Sequence, residues 1–291
     1  MTESLKALLV FCEGPHDIGY VRIILRKILS FEMVQLPFKE LPSPFHHLFK
    51  KSVETYAAGE LSLDMSDKYF LPDKVLRKNN QFVFLFSCGG NSKYDKIKKL
   101  LSDYLPAFSE ARTFAQGAPE IVDTFKYLFI YDADAVGIDV IIKNLNTNLG
   151  VINTNSFIDK EEWCSSSSEF GKIAGDKAVY IWGEKPDKGT LEDILYPMYS
   201  LDNSSLLSRA ESAIDDMFFW DINNQDIKKA IPEISRRKKS ILTVIGQKEK
   251  PGCSLNVIID QSSLLRKDIL KNNVPTQNFV NFISEFIDIK L

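Results

Sequence analysis

Three largely apolar runs in this chain each stop at a glycine or acidic cluster and each give way to helical spacing, and that repeat narrows the fold more than any other feature. Leu5 to Cys12 ends at Glu13-Gly14, after which Ile18, Val21, Ile24, Leu25 and Ile28 recur at helical intervals. Gln81 to Cys88 ends at Gly89-Gly90-Asn91-Ser92 and precedes a lysine-rich helical pattern from about Tyr94 to Leu105. Lys126 to Tyr131 ends at Asp132-Ala133-Asp134, and helical spacing resumes over Ile138 to Leu149. A fourth run, Ala178 to Trp182, follows a serine-rich stretch at Ser165 to Ser168 that reads as a loop. Runs with no polar alternation are strands covered on both faces. Strands alternating with amphipathic helices predict an α/β fold: a mostly parallel, Rossmann-like sheet flanked by helices, with ligands bound beyond the carboxyl ends of its strands.

Between about residues 32 and 80 the pattern is broken by Pro37, Pro42, Pro44 and Pro72, which predicts an insertion carrying a helix or two. After Thr190 the pattern becomes helical, over Leu191 to Met198, Ser204 to Phe219, Asp226 to Ile245 with Pro232 inside, and Gln277 to Ile287. The expected organisation is therefore a catalytic domain over residues 1–200 and a helical C-terminal part over residues 201–291 packed on it.

The 291 residues suffice for such a core, and 44% hydrophobic with 26% charged residues is ordinary globular composition. Cys12, Cys88, Cys164 and Cys253 form no CxxC pair, which argues against a zinc ribbon or a disulfide framework and for a reducing compartment. The first residues lack the basic start and cleavage site of a secretory signal, and no window approaches the roughly 18 apolar residues of a membrane span. A cytoplasmic protein with no membrane partner is expected. With a net charge of −3 there is no general attraction to nucleic acid, so any such binding must come from local lysines and metal.

Carboxylates at strand ends are the groups that could carry chemistry. Glu13 ends the first strand and Asp17 opens the following helix, where it could equally be a cap. Asp132 and Asp134 leave a buried strand one residue apart and could converge on a divalent cation, although Asp134 could also cap the next helix. Four carboxylates gathered at one sheet edge would repel one another unless a cation neutralised them, and oxygen ligands suit Mg²⁺. The Ser87 to Ser92 turn, with Gly89, Gly90 and neighbouring Lys93, could present backbone N–H groups to a phosphate. Glu192 and Asp193 open a later helix behind Thr190. The run Arg236-Arg237-Lys238-Lys239 is either a solvated helix face or a source of lysine for a phosphate transition state. His16, His46 and His47 show no metal-ligand spacing, and the signatures of serine hydrolases, P-loop NTPases and dinucleotide-binding folds are absent.

Glu13-Gly14 with Asp17, the Gly89-Gly90 turn, and Asp132-Ala133-Asp134, in this order, resemble the Toprim domain of topoisomerases, primases and related nucleases. Thr190-Leu191-Glu192-Asp193-Ile194-Leu195 is similar to the segment that follows Toprim in OLD-type (overcoming-lysogenization-defect) nucleases and their stand-alone relatives. Lys238 and Lys239, leading into a stretch that ends at Pro251-Gly252, resemble the lysine-bearing helix of the stand-alone proteins. The resemblance implies that Glu13, Asp17, Asp132, Asp134 and Glu192 hold one or two Mg²⁺ (or Mn²⁺) ions. It further implies that Ser87 to Gly90 approach phosphate and that Lys238 or Lys239 assists catalysis. Glu13 would serve as general base or as a metal ligand that doubles in proton transfer.

No ATPase domain, tyrosine-bearing topoisomerase domain or primase zinc module is recognisable. The implied activity is thus that of a metal-dependent endonuclease or nickase acting on nucleic acid, DNA before RNA. It would act alone or as a subunit beside an ATPase or other defence protein, with antiphage defence as the role such relatives often fill. Oligomeric state is left open. The rival reading is a non-cleaving regulatory or nucleic-acid-binding subunit.

Overall fold

The computed structural model describes residues 5–57, 71–90, 94–109, 120–149, 163–167, 174–183 and 188–290. Strand β1 (Leu5–Cys12) leads into helix α1 (Pro15–Lys27); β2 (Glu32–Met33), α2 (Phe45–Ala57), β3 (Lys74–Lys78), β4 (Gln81–Ser87) and α3 (Tyr94–Ser109) follow. Next come β5 (Val122–Asp132), α4 (Ile138–Asn148), β6 (Trp163–Ser167) and β7 (Ala174–Trp182). Five helices close the described chain: α5 (Leu191–Met217), α6 (Ile227–Gly246), α7 (Leu255–Gln261), α8 (Lys267–Asn272) and α9 (Val274–Phe286). This is the expected α/β architecture, a mostly parallel sheet flanked by helices with a helical C-terminal part.

The chain divides into two compact units. The first comprises residues 1–12, 31–129 and 144–179; the second comprises residues 13–30, 130–143 and 180–291.

The first unit carries the sheet, in the order β2-β3-β4-β1-β5-β7-β6. At its centre β1 lies parallel to β4, with Lys6 opposite Gln81 and Cys12 opposite Ser87. Both strands are buried almost throughout, which is why they read as unbroken apolar runs. Phe11 stacks between Phe86 and Phe129, with ring centroids 5.4 and 5.2 Å away, so neighbouring strands share one aromatic layer. The edges are antiparallel: β3 pairs with β4 and with β2 on one side, and β6 pairs with β7 on the other. The expected insertion contributes α2, the edge strand β2 and its neighbour β3, and the ring centroid of Phe45 in α2 lies 4.0 Å from that of Phe84 in β4. The serine-rich stretch expected as a loop supplies β6 over Trp163–Ser167.

The second unit is helical apart from the ends of β5 and β7. Helix α5 is two helices joined at Asn203, whose φ of −131° and ψ of 29° are non-helical, matching the break expected between Met198 and Ser204. Asp226 caps α6 by accepting the Lys228 N–H at 3.0 Å, and Pro232 is accommodated inside that helix. Tyr180 and Trp182 at the end of β7 pack their rings on Phe279 of α9 at 4.8 and 5.0 Å. Helices α1 and α7 pack closely because Gly19 has no side chain: a Cβ there would lie 2.9 Å from the Asn256 carbonyl oxygen. Gly19→Ala is therefore expected to destabilise the fold by roughly 1 kcal/mol or more, even after the gain in helix propensity, as a lowered urea midpoint at unchanged m-value.

No helix among the described residues is long and apolar enough to cross a membrane.

Candidate functional site

The five carboxylates that the resemblance implies as metal ligands all fall in the second unit, and backbone geometry brings them near one another. Glu13 follows β1, and its N–H donates to the Ile130 carbonyl at 3.0 Å while its Oε2 accepts the Asp132 N–H at 3.1 Å. Pro15 opens α1, where a missing N–H costs nothing. Asp17 stands at the third helical position and its Oδ2 accepts the Gly14 N–H at 2.9 Å, so it does cap the helix. Its second oxygen, Oδ1, is buried and meets no hydrogen-bond partner.

Asp132 ends β5, and its Oδ1 accepts the N–H of Leu191, the first residue of α5, at 2.8 Å. A carboxylate is thereby held at the positive end of a helix. Asp134 adopts a φ of 50° and exchanges two backbone hydrogen bonds with Gly189, at 2.8 and 3.2 Å. Helix α4 begins only at Ile138, so Asp134 is not in its first turn. Glu192, 1% exposed, accepts the Ser235 hydroxyl on Oε2 at 3.1 Å, while its Oε1 faces His16 Nδ1 at 3.4 Å and Lys239 Nζ at 3.6 Å.

Asp17, Asp132, Asp134, Glu192 and Lys239 are close enough to shift one another's ionisation. Burial and the neighbouring Glu13 carboxylate push Asp17 up to about 8, against the weaker opposing pull of its hydrogen bond from Gly14. Burial together with Asp17, Glu192, Glu13 and Asp134 raises Asp132 well above the usual carboxylate range. Asp134 is raised by burial, with Lys239 opposing. Although burial acts the other way, the His16 hydrogen bond and the Lys239 ammonium hold Glu192 below its ordinary value, so Glu192 keeps its charge. Burial alone would depress Lys239, but Glu192, Asp132, Asp17 and Glu13 raise it, so its ammonium is firmly charged. Negative charge is in excess, and in the bare protein protons on Asp17 and Asp132 relieve it.

A hard divalent cation would relieve it equally well, since every donor in the set is a carboxylate oxygen and one of them, Asp17 Oδ1, is buried without a partner. In the positions the side chains take here, no three His, Cys, Asp or Glu among the described residues form a ready metal-binding group. Glu13, Asp17 and Asp132 each turn one oxygen onto an N–H of the chain itself. The donor chemistry fits the ion.

The basic run of α6 divides its work. Lys239 faces the acid cluster, whereas Lys238 is bound to Asp193 at 2.5 Å and lies 5.5 Å from the Tyr196 ring centroid. Arg237 grips Asp215 with two hydrogen bonds of 2.7 and 2.6 Å, and Arg236 pairs with Glu233 in its own helix. Asp193 also accepts the Thr190 N–H at 2.8 Å, as a cap does. Sequence reasoning missed His16 and Ser235 as neighbours of Glu192. Only the position of His16 beside Asp17 could have suggested the first, and nothing in the sequence marks the second. Of the expected phosphate-binding group, Ser87, Gly89 and Gly90 belong to the first unit and Lys93 lies outside the described residues. The Ser87 N–H donates to Asp73 at 2.7 Å, and Gly89 and Gly90 take φ of 76° and 115°, which side chains disfavour.

A profile for a family described as "Protein of unknown function (DUF3226)" matches residues 9–288. The crystal structure of a hypothetical protein from Pyrococcus horikoshii OT3 is similar to the chain over 97% of its length and 95% of the other, at 15% identity and a TM-score of 0.48. No curated protein matches.

Proposed function

The chain belongs to the DUF3226 family, whose description assigns no activity, and from the chemistry of its acid cluster we propose that it is a metal-dependent nuclease hydrolysing phosphodiester bonds of DNA or RNA. The observation that carries this reading is the electrostatic coupling of Asp17, Asp132, Glu13 and Glu192, with a buried, unpartnered oxygen on Asp17. The order of its motifs, which resembles Toprim nucleases, supports the same reading, and a role in phage defence would follow from that resemblance.

Asp17, Asp132, Asp134 and Glu192 would hold Mg²⁺ or Mn²⁺, with Glu13 as their neighbour. Bound there, the ion would neutralise the scissile phosphate and make its attacking water acidic. Glu13, half-buried beside Asp132, would take the proton of that water. Lys239 opposes charge building on the phosphate oxygens, since the surrounding acids keep its ammonium protonated. His16 and Ser235 orient Glu192.

The test is incubation of supercoiled plasmid and single-stranded DNA and RNA with the purified protein and Mn²⁺ or Mg²⁺. Nicked or shortened products that vanish on chelation of the metal are expected. Tight nucleic-acid binding with no product under any metal would overturn the proposal in favour of a non-cleaving binding subunit.

A further inference from the structure

The loop that joins α5 to α6, in the second unit, holds large apolar side chains in the open. Met217, Phe218 and Phe219 are 63%, 53% and 90% exposed, and Ile227, which opens α6, is 42% exposed. With Trp220 and Ile222, the first three line an open groove of about 450 Å³. Its shape is held from within. Phe218 meets Trp220 steeply, at 64° and 6.0 Å between ring centroids, the Asn224 amide donates to Asp221 at 2.5 Å, and the Asn224 side-chain oxygen accepts the Asp226 N–H at 2.8 Å. A contiguous apolar surface of this kind marks an interaction site, and one that is already ordered loses less on docking.

Charge decides what covers it. At the end of α5, Glu211, Asp215 and Asp216 gather near one cation, Arg237, so that end is net negative. At the other end α6 begins with exposed Lys228 and Lys229, and Lys228 precedes Arg237 by nine residues, roughly 13 Å along the helix. Asp216, Lys228 and Lys229 form no ion pair among the described residues. An apolar strip with an acidic end and a basic end is complementary to itself, because a two-fold axis through its middle lays each acidic end on the basic end of the other copy. A nucleic-acid strand or an anionic membrane would instead bring phosphates onto Asp215, Asp216 and Asp221.

The area agrees. Met217, Phe218 and Phe219 leave on the order of 400 Å² of apolar surface per copy, about half of the roughly 800 Å² that a stable interface takes from each partner. Trp220, Ile222, Ile227 and the charged ends supply the remainder.

We propose that the loop between α5 and α6 is a homodimer interface, with Met217, Phe218 and Phe219 of two copies packed across a two-fold axis and Asp216 of each copy facing the Lys228-Lys229 end of the other. The proposal depends neither on the acid cluster nor on the nuclease reading.

The test is sedimentation equilibrium of the full chain over a series of concentrations, with melting curves to show that each variant is folded. Phe219→Ser alters a side chain that is 90% exposed and should leave the fold intact, yet raise the dimer dissociation constant about a hundredfold, since both copies lose the contact. Asp216→Lys, and Lys228→Glu together with Lys229→Glu, should each weaken dimerisation about tenfold, although both changes suit the dipole of the helix end on which they stand. Combined in one chain, the three substitutions should restore dimerisation to within about threefold of wild type. A wild type that stays monomeric up to about 100 μM, a dimer untouched by Phe219→Ser, or reversals that fail to compensate would overturn the proposal. So would a monomer that binds a labelled single-stranded oligonucleotide only while Phe219 is present, which would assign the loop to nucleic acid.

Discussion

Replacing Asp132 by asparagine is expected to lower Mn²⁺-dependent cleavage by about two to three orders of magnitude while the protein remains folded. The variant separates two roles that the same side chain performs. One carboxylate oxygen accepts the Leu191 N–H at 2.8 Å and so caps α5, and the carbonyl oxygen of asparagine can keep that hydrogen bond. What asparagine removes is the negative charge, which is what couples Asp132 to Asp17, Glu192 and Glu13. Alanine would remove both, and the Leu191 N–H left without its acceptor would cost about 1 kcal/mol besides. Steady-state cleavage rates beside a urea denaturation curve provide the check. Full cleavage by a well-folded Asp132→Asn protein would remove Asp132 from the site.

The second large effect is a stability that falls as pH rises, unless a divalent cation is present. Asp17 binds its proton more tightly folded than unfolded, about 8 against an ordinary 3.8, so the folded state holds the extra proton between these values. Its contribution is therefore complete below about pH 4 and is lost progressively as pH climbs toward 8. Asp132, raised by the same burial and crowding, acts in the same direction. Glu192, which is lowered, acts oppositely, but only in the acid range where it would protonate. If the cluster holds a divalent cation as proposed, metal should reverse the loss at high pH by taking the place of the protons it displaces, and its stabilisation should grow from pH 6 to pH 8.

Asp17→Asn should flatten this profile. It should raise the melting temperature of the metal-free protein at pH 8 and abolish most of the Mn²⁺-induced shift. Melting curves at pH 6, 7 and 8 with and without Mn²⁺ decide the matter. A metal-free wild type that is as stable at pH 8 as at pH 6 would contradict the buried-acid account.

The parts of this molecule that the sequence announces are those whose burial is complete. Strands β1 and β4 are covered on both faces, so their residues are apolar without alternation and their ends are marked by glycine or acid. The edge strands escape notice for the opposite reason. Glu32–Met33 has two residues and Trp163–Ser167 is mostly serine, because an edge strand meets solvent and is kept polar or short; Lys74–Lys78 reads KVLRK because its two-residue neighbour covers only part of it.

Within the site, the acids at strand ends were legible because position in an α/β sheet gives them meaning. Lys238 and Lys239 were not separable in sequence: adjacent helical residues point about 100° apart, and only the facing helix decides which of them meets the acids. His16 and Ser235 belong to no motif and become visible only when Glu192 is folded against them. In Asp17 one oxygen caps the helix and the other is left without a partner, so capping does not use up the carboxylate.

The most direct measurement is a crystal structure of the protein soaked with Mn²⁺, located by its anomalous scattering. The ion should sit among the oxygens of Asp17, Asp132 and Glu192, with Asp17 Oδ1 among its ligands and Lys239 nearby. An empty cluster at saturating Mn²⁺, with Glu13, Asp17 and Asp132 still turned onto the chain's own N–H groups, would contradict it.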